Sequence, residues 1–223
     1  MRTGTIVGVN GNHLTVEFAG VVAQNEVAYA LLDTLRLKAE VVRVRGRCAD
    51  LQVFESSAGL RVGDLVEFTG EPLAAELGPG LLGQIYDGLQ NPLHALAERD
   101  GFFLQRGAYL PALDETRRWP FAPIVKPGMV VAAGDMLGTV PEGVFQHRVM
   151  VPFDLRGRWR VAEMAAAGDF RVHETVAVVR NEAGHELPLS LAFRWPVKQA
   201  IRLYRERLAP TEPLSTQIRI IDS

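Results

Sequence analysis

Cysteine and lysine are the scarcest reactive side chains in this 223-residue sequence. Cys48 is the only cysteine, so no disulfide can form within the chain and no cysteine-rich zinc site can be assembled. That fits a reducing compartment. Of the 24 basic residues only Lys38, Lys126 and Lys198 are lysine, which leaves 21 arginines. An arginine excess can serve bidentate anion binding, but a GC-rich genome gives the same bias and is the simpler account. No lysine follows a glycine, so G-x-x-x-x-G-K-[ST] is absent, and with it the cradle and the lysine that hold β- and γ-phosphates. G-x-S-x-G is absent too, which excludes a hydrolase nucleophile elbow. The stretch Met1 to Val9 has no apolar run after Arg2, so no signal peptide is predicted. No apolar run approaches the roughly 18 residues of a membrane span, so any membrane role is expected to run through partners. With 24 basic and 26 acidic residues the formal net charge is -2, and no electrostatic case for nucleic acid exists.

What is present is an ordinary globular composition, 48% hydrophobic and 22% charged, at a length that suits one large or two small domains. The patterning predicts a mainly β fold. Thr5–Val9 leads into Asn10-Gly11, a hairpin signal because both residues tolerate positive φ. His13–Phe18 alternates polar and apolar, the period of a half-buried strand. Glu40–Gly46 and Ala49–Glu55 read as a further pair, and Leu65–Phe68 closes the set. Strands and turns at this spacing predict a small β-barrel over residues 1–70, a fold that presents a surface and carries no catalytic group of its own. Residues 71–113 are rich in Gly and Pro and then turn helical around Pro92–Arg99, with Pro92 suited to a first helical turn. Residues 114–189 return to β, with turns at Val125–Gly128, Ala133–Gly138 and Asn181–Gly184, and strands at Met129–Val131, His147–Val151, Gly157–Val161 and Thr175–Arg180. In the tail, 190–223, Pro196, Pro210 and Pro213 argue against a long helix. It ends on Ile218–Ser223, an apolar run without a capping signal, so a truncated domain is expected there.

Few motifs carry chemistry. Gly78-Pro79-Gly80-Leu81-Leu82-Gly83 matches G-x-G-x-x-G, which in a dinucleotide-binding fold lets a pyrophosphate approach a helix N-terminus. Here it follows a barrel instead of the first strand of a βαβ unit, Pro79 stiffens it, and no acid-tipped parallel strand follows. A tight structural turn leading into a packed helix is the better reading. His13, His94, His147, His173 and His185 show no ligand spacing and are expected to be surface or satisfied side chains. Glu174, Glu182 and Glu186 lie near turns and are expected to be solvated, not a catalytic carboxylate pair. The turns Val125–Gly128 and Ala133–Gly138 are similar to those of lipoyl and biotinyl carrier domains. Lys126 stands in the wrong turn for a carrier lysine, so the likeness supports a sandwich-like module only.

Several blocks, in order and over nearly the whole chain, resemble the A subunit of V/A-type rotary ATPases. Leu51–Glu55 and Ala58–Gly63 resemble its barrel. Thr69–Leu73 and Glu76–Gln90, followed by Pro92-Leu93, form the most specific stretch. Leu137–Glu142 and Thr175–Val179 resemble its inserted bulge, and Arg194–Val197 and Tyr204–Leu214 the return to the nucleotide domain. The chain departs from the family at Thr216-Gln217, where Thr-Gly is usual, and in the more basic Phe153–Trp159. The resemblance implies a barrel (1–70), a first segment of the nucleotide-binding domain (71–113), an inserted non-homologous bulge (114–189) and a truncated return segment (190–223). F-type catalytic subunits and the B subunit lack such an insertion, which points to the catalytic A subunit. It further implies a full-length subunit that uses ATP or ADP with Mg2+ and alternates with B subunits in an A3B3 hexamer. That subunit would meet central and peripheral stalk subunits in a cytoplasmic head that touches the membrane only through the complex. In the family the phosphate loop follows the segment matching Ile218 to Asp222, and the catalytic glutamate and adenine contacts lie later still. No catalytic, cofactor-binding or metal-ligating residue is therefore assigned within these residues, and the chain is expected to supply inter-subunit and stalk contacts. The alternative is a stand-alone β-rich binding or assembly module without ATPase activity.

Overall fold

The computed structural model describes residues 2–101 and 103–203, with isolated positions 209, 211 and 215. The expectations for Tyr204–Leu208, Thr216-Gln217 and Ile218–Ser223 lie outside the described residues.

Six strands close an N-terminal barrel: β1 (Arg2–Asn10), β2 (His13–Phe18), β3 (Glu26–Leu32), β4 (Leu35–Arg45), β5 (Cys48–Val53) and β6 (Leu65–Pro72). They pair antiparallel in the order β1-β2-β5-β4-β3-β6, and β6 returns to β1. Closure leaves the barrel no free strand edge. Alternation along β2 buries Leu14, Val16 and Phe18 against Ile6, Leu37, Val41, Leu51, Val66 and Phe68. The first hairpin turns one residue later than the sequence suggests. Asn10 pairs with His13, and Gly11-Asn12 forms the loop with Gly11 at φ 56°. The barrel also contains β3 and a first half of β4 that the sequence does not announce. Their inward side chains include Ala28, Ala30 and Ala39, all fully buried. Alanine favours helices and gives a weak apolar signal, yet small side chains are what a narrow barrel interior accommodates.

The barrel closes around one buried carboxylate. Glu26, only 2% exposed, pairs with Arg2 at 2.6 Å. It also accepts the N–H groups of Gly70 at 2.6 Å and Ala23 at 3.0 Å. Three charge-assisted bonds thereby tie the starts of β1 and β3 to β6.

After β6 the chain forms β7 (Ala74–Leu77) and a short helix, α1 (Leu93–Asp100). Pro92 stands at the N-cap of α1, one place before the first turn predicted for it. The stretch inserted between β7 and a later strand that pairs with it builds two four-stranded sheets. The first orders β11 (Phe145–Met150), β10 (Met136–Glu142), β8 (Trp119–Pro123) and β13 (Gly168–Phe170). The second orders β15 (Glu186–Ser190), β14 (Thr175–Arg180), β12 (Trp159–Met164) and β9 (Val130–Val131). They share a core that includes Trp119, Phe121, Leu137, Val149, Val161, Val176 and Leu189. Gly138 belongs to β10, where the sequence suggests a turn. A Cβ there would sit 2.3 Å from Phe121 Cε2 and 2.5 Å from the Ala122 carbonyl oxygen, so the glycine makes room for an aromatic ring. The chain then returns as β16 (Phe193–Pro196), antiparallel to β7, with Phe193 opposite Leu77 and Pro196 opposite Ala74.

Glu26→Ala leaves Arg2 and two backbone N–H groups without their acceptor, and it should cost about 3 kcal/mol of stability. Urea unfolding measures this; a change within error would mean that the carboxylate does not hold the closure.

Candidate functional site

The functional geometry of this chain is a joint, where the two inserted sheets meet the β7–β16 pair and the barrel. At its centre lies the glycine turn that follows β7. The N–H groups of Gly80 and Leu82 converge on Glu142 Oε1 at 2.6 and 3.1 Å. Glu142, at the end of β10, is 6% exposed, and its Oε2 lies 3.0 Å from His147 Nδ1 on β11. Converging backbone N–H groups form an anion nest, and here the anion is a carboxylate of the same chain. The glycines serve packing. A Cβ on Gly78 would stand 2.7 Å from Ala192 Cβ and 2.9 Å from Leu113 Cδ1. Gly80, at φ 107°, would bring one to 3.3 Å from Trp119 Cζ2. The turn does not open α1 directly, and β7 has an antiparallel partner, so the fold lacks the βαβ setting that a dinucleotide needs. A phosphate group does not fit this turn, because Glu142 already takes its donors.

A second cluster flanks the first. His173 Nε2 lies 3.2 Å from Glu76 Oε1 on β7 and 3.5 Å from Glu115 Oε1. Burial holds the Glu76 carboxyl above the usual carboxylate range, and the nearby Glu115 adds to this, while His173 and Arg194 oppose it. The free edge of β7 is met by a side-chain amide. Gln90 Nε2 donates to the Glu76 carbonyl at 2.7 Å, and Gln90 Oε1 accepts the Glu76 N–H at 2.7 Å. Asp87 orders the loop before α1 by accepting the N–H groups of Leu89 and Asn91 at 2.9 and 2.8 Å. Between the glycine turn, α1 and residues 110–119 lies a cleft of about 420 Å³, lined by Tyr86, Pro92, Leu110, Asp114, Arg117 and Trp119 among others. The Arg117 guanidinium covers the Trp119 ring at 3.8 Å. Hydrogen bonds from Thr116 hold the Asp114 carboxyl below the usual range.

Besides the ion pair between Arg194 on β16 and Glu71 on β6, two contacts fasten the barrel to this joint. The Tyr109 hydroxyl donates to Glu55 and accepts the Lys38 N–H at 2.8 Å, and the Gly107 N–H reaches Glu55 Oε2 at 2.7 Å. Burial and the hydrogen bond to Glu55 push the Tyr109 phenol far above its usual range. On the other side Lys198 Nζ meets the buried Glu40 carboxylate at 2.8 Å.

Of the histidines, His147 and His173 pair with carboxylates, and the structure gathers no ligand set around them. Among the described residues no group of three or more His, Cys, Asp or Glu side chains could hold a metal ion. The turn carboxylates stay apart. Glu186 pairs with exposed Arg180, and Glu174 lies 3.6 Å from Arg118. The residues that matter most at the joint, Glu142, Gln90 and Tyr109, carry no local signal. Glu142 stands 62 positions from the N–H it accepts at Gly80, a spacing that no window of sequence reveals.

Comparison with known proteins places this architecture. Residues 6–70 match the ATP synthase alpha/beta family, beta-barrel domain, and residues 110–198 match the ATPsynthase alpha/beta subunit barrel-sandwich domain. The chain is 56% identical over 220 residues to V-type ATP synthase alpha chain 1 of Treponema pallidum, covering 99% of this chain and 37% of that protein. It is 52% identical to the V-type ATP synthase alpha chain of Treponema denticola, with the same coverage of both proteins. It is 49% identical to that of Borreliella burgdorferi, over 99% of this chain and 38% of the relative. The chain belongs to the ATP synthase alpha/beta family. Within that family it corresponds to the N-terminal part of a V-type alpha chain, also called the A chain, and it spans a little over a third of the length of those relatives.

Two outcomes follow from the joint. Glu142→Ala should speed amide exchange at Gly80 and Leu82 by at least about tenfold while leaving the barrel amides unchanged; equal protection in both proteins would show that the carboxylate does not pin the turn. Glu76 acts through pH. A carboxyl whose folded value is raised gives stability that is present at low pH and lost as pH rises through that value. Glu76→Gln is therefore expected to remove part of the stability loss that sets in as pH rises past the ordinary glutamate value of about 4.3. Thermal midpoints measured as pH is raised from there test it, and parallel curves for the two proteins would contradict it.

Proposed function

We propose that this chain is the N-terminal portion of the catalytic subunit of a rotary V/A-type ATP synthase or ATPase, which couples ATP hydrolysis or synthesis to proton or sodium transport. Residues 1–70 form the barrel, 71–113 the first segment of the nucleotide-binding domain, 114–189 the inserted bulge, and 190–223 the return segment. In the assembled enzyme the subunit alternates with B subunits in an A3B3 hexamer and meets central and peripheral stalk subunits. It sits in a cytoplasmic head, with membrane contact only through the complex. The full-length subunit uses ATP or ADP with Mg2+. No catalytic, cofactor-binding or metal-ligating residue is assigned within the present stretch, whose part is mechanical.

The observation that carries this reading is the β7–β16 pair. It joins Ala74–Leu77 to Phe193–Pro196 and leaves the two four-stranded sheets between them in the chain, which supports reading those sheets as an insertion into one domain. Similarity to V-type alpha chains runs through the insertion as well as the barrel. Mechanically, a closed barrel keeps its shape because no edge can slip. A module entered and left through adjacent strands, with Glu142 bound to the turn at its base, transmits displacement instead of absorbing it.

A clean preparation of this chain is expected to release no phosphate from Mg-ATP above the buffer rate. Turnover that follows the protein through successive purification steps would overturn the assignment of the chemistry to the remainder of the subunit.

A further inference from the structure

The three lysines of this chain have different surroundings. Lys198 is neutralised by the buried Glu40 carboxylate at 2.8 Å and also donates to Asn25 Oδ1 at 3.3 Å. Lys126 is exposed in a turn. Lys38, on β4, is half-buried where the barrel meets β7 and β16, and its ammonium rests 4.7 Å from the centre of the Tyr109 ring. Among the described residues its Nζ forms no ion pair with a carboxylate. It lines a cavity of about 190 Å³ with Tyr29, Thr69, Glu71, Leu73, Leu89 and Arg194. Burial draws the Lys38 ammonium below the usual lysine range. Of the charges facing it, Asp87 and Glu55 oppose this and Arg194 reinforces it. Arg194 is itself held by Glu71 at 2.5 Å.

We infer that Lys38 is an acyl-acceptor site at the junction of barrel and strand pair, taking its acyl group from a small acyl phosphate. The amine must be neutral to react, and a desolvated lysine is neutral more of the time than an exposed one. The cavity admits a small donor and leaves no room for a bulky carrier. The Arg194 guanidinium on its wall is already shared with Glu71, so size selects the donor, and a small acyl phosphate brings its own leaving group. In the step, the Nζ lone pair attacks the acyl carbon, an N–C bond forms, and the C–O bond to phosphate breaks. Phosphate leaves with the bonding pair, and the surplus proton on nitrogen passes to water. The product is a neutral amide, so the cation over the Tyr109 ring is lost at one of the places where the barrel is fastened.

The three lysines are internal controls for one another. The chain is treated with acetyl phosphate in buffers from about pH 6 to pH 10, and peptide mass spectrometry follows acetylation at each lysine. At pH 7 Lys38 is expected to acetylate at least about threefold faster than Lys126, with a rate that reaches half its plateau at a lower pH. Labelling of Lys38 no faster than Lys126, a half-rise at the same or a higher pH, or no labelling at any pH would each overturn the site. In urea the three profiles should coincide; a difference that survives unfolding would assign the effect to local sequence and also overturn it. The comparison is made within the native chain and needs no variant to fold.

Discussion

The antiparallel pairing of β7 with β16 is the contact from which the rest of the joint follows. Arg194 and Glu71, which form an ion pair beside it, lie 123 residues apart in sequence. Bringing such distant segments together carries a loop-closure cost that grows only with the logarithm of loop length. The inserted sheets make that cost bearable because they bury a core of their own, so the loop to be closed is a folded module and not a flexible chain. Once the two strands meet, Glu142 can reach the glycine turn and His173 can reach Glu76. Lys198, two residues beyond β16, then reaches Glu40 on the barrel. Each of these ties depends on the strand pair being formed.

The glycine turn illustrates how the same letters serve different physics. In a dinucleotide fold, glycines let a phosphate approach the backbone. Here they let Ala192, Leu113 and Trp119 approach it, and the N–H groups that would have met a phosphate meet Glu142. The difference lies outside the motif, in which strand precedes it and what lies across the gap. A turn with converging N–H groups demands an anion of some kind, and an inserted module can supply one from its own chain. That choice turns a binding motif into a fastening.

Local features of the fold were readable and long-range ones were not. The alternation in His13–Phe18 and the apolar run Thr175–Arg180 appear as strands where expected, because periodicity is carried by neighbours. Strand β3 was hidden because its inward residues are alanines, and β8 because two prolines, Pro120 and Pro123, disguise it. Gly138 looked like a turn residue because its packing against Phe121 lies 17 positions away in sequence. The joint was legible only by resemblance. Tyr109 holding Lys38 and Glu55, or Gln90 imitating a strand along β7, follows from topology, and a single sequence does not declare topology.

Where buried polarity sits explains why the pieces meet in one way. The buried polar side chains among the described residues are Glu26, Glu40, Ser57, Asn91 and Glu142. None of them lies in the apolar centre of the barrel or of the sheets; each bridges two segments. Glu26 joins β1 to β6, and Ser57 holds the first hairpin through the Gly11 carbonyl. Asn91 ties the Asp87 loop to Leu110, Glu40 receives Lys198, and Glu142 receives the glycine turn. Apolar surfaces alone would tolerate sliding, since hydrophobic attraction has no direction. A buried carboxylate tolerates little, because any shift that breaks its hydrogen bonds strands a charge away from water. The apolar cores thus supply most of the cohesion, and these few polar groups fix which arrangement that cohesion holds.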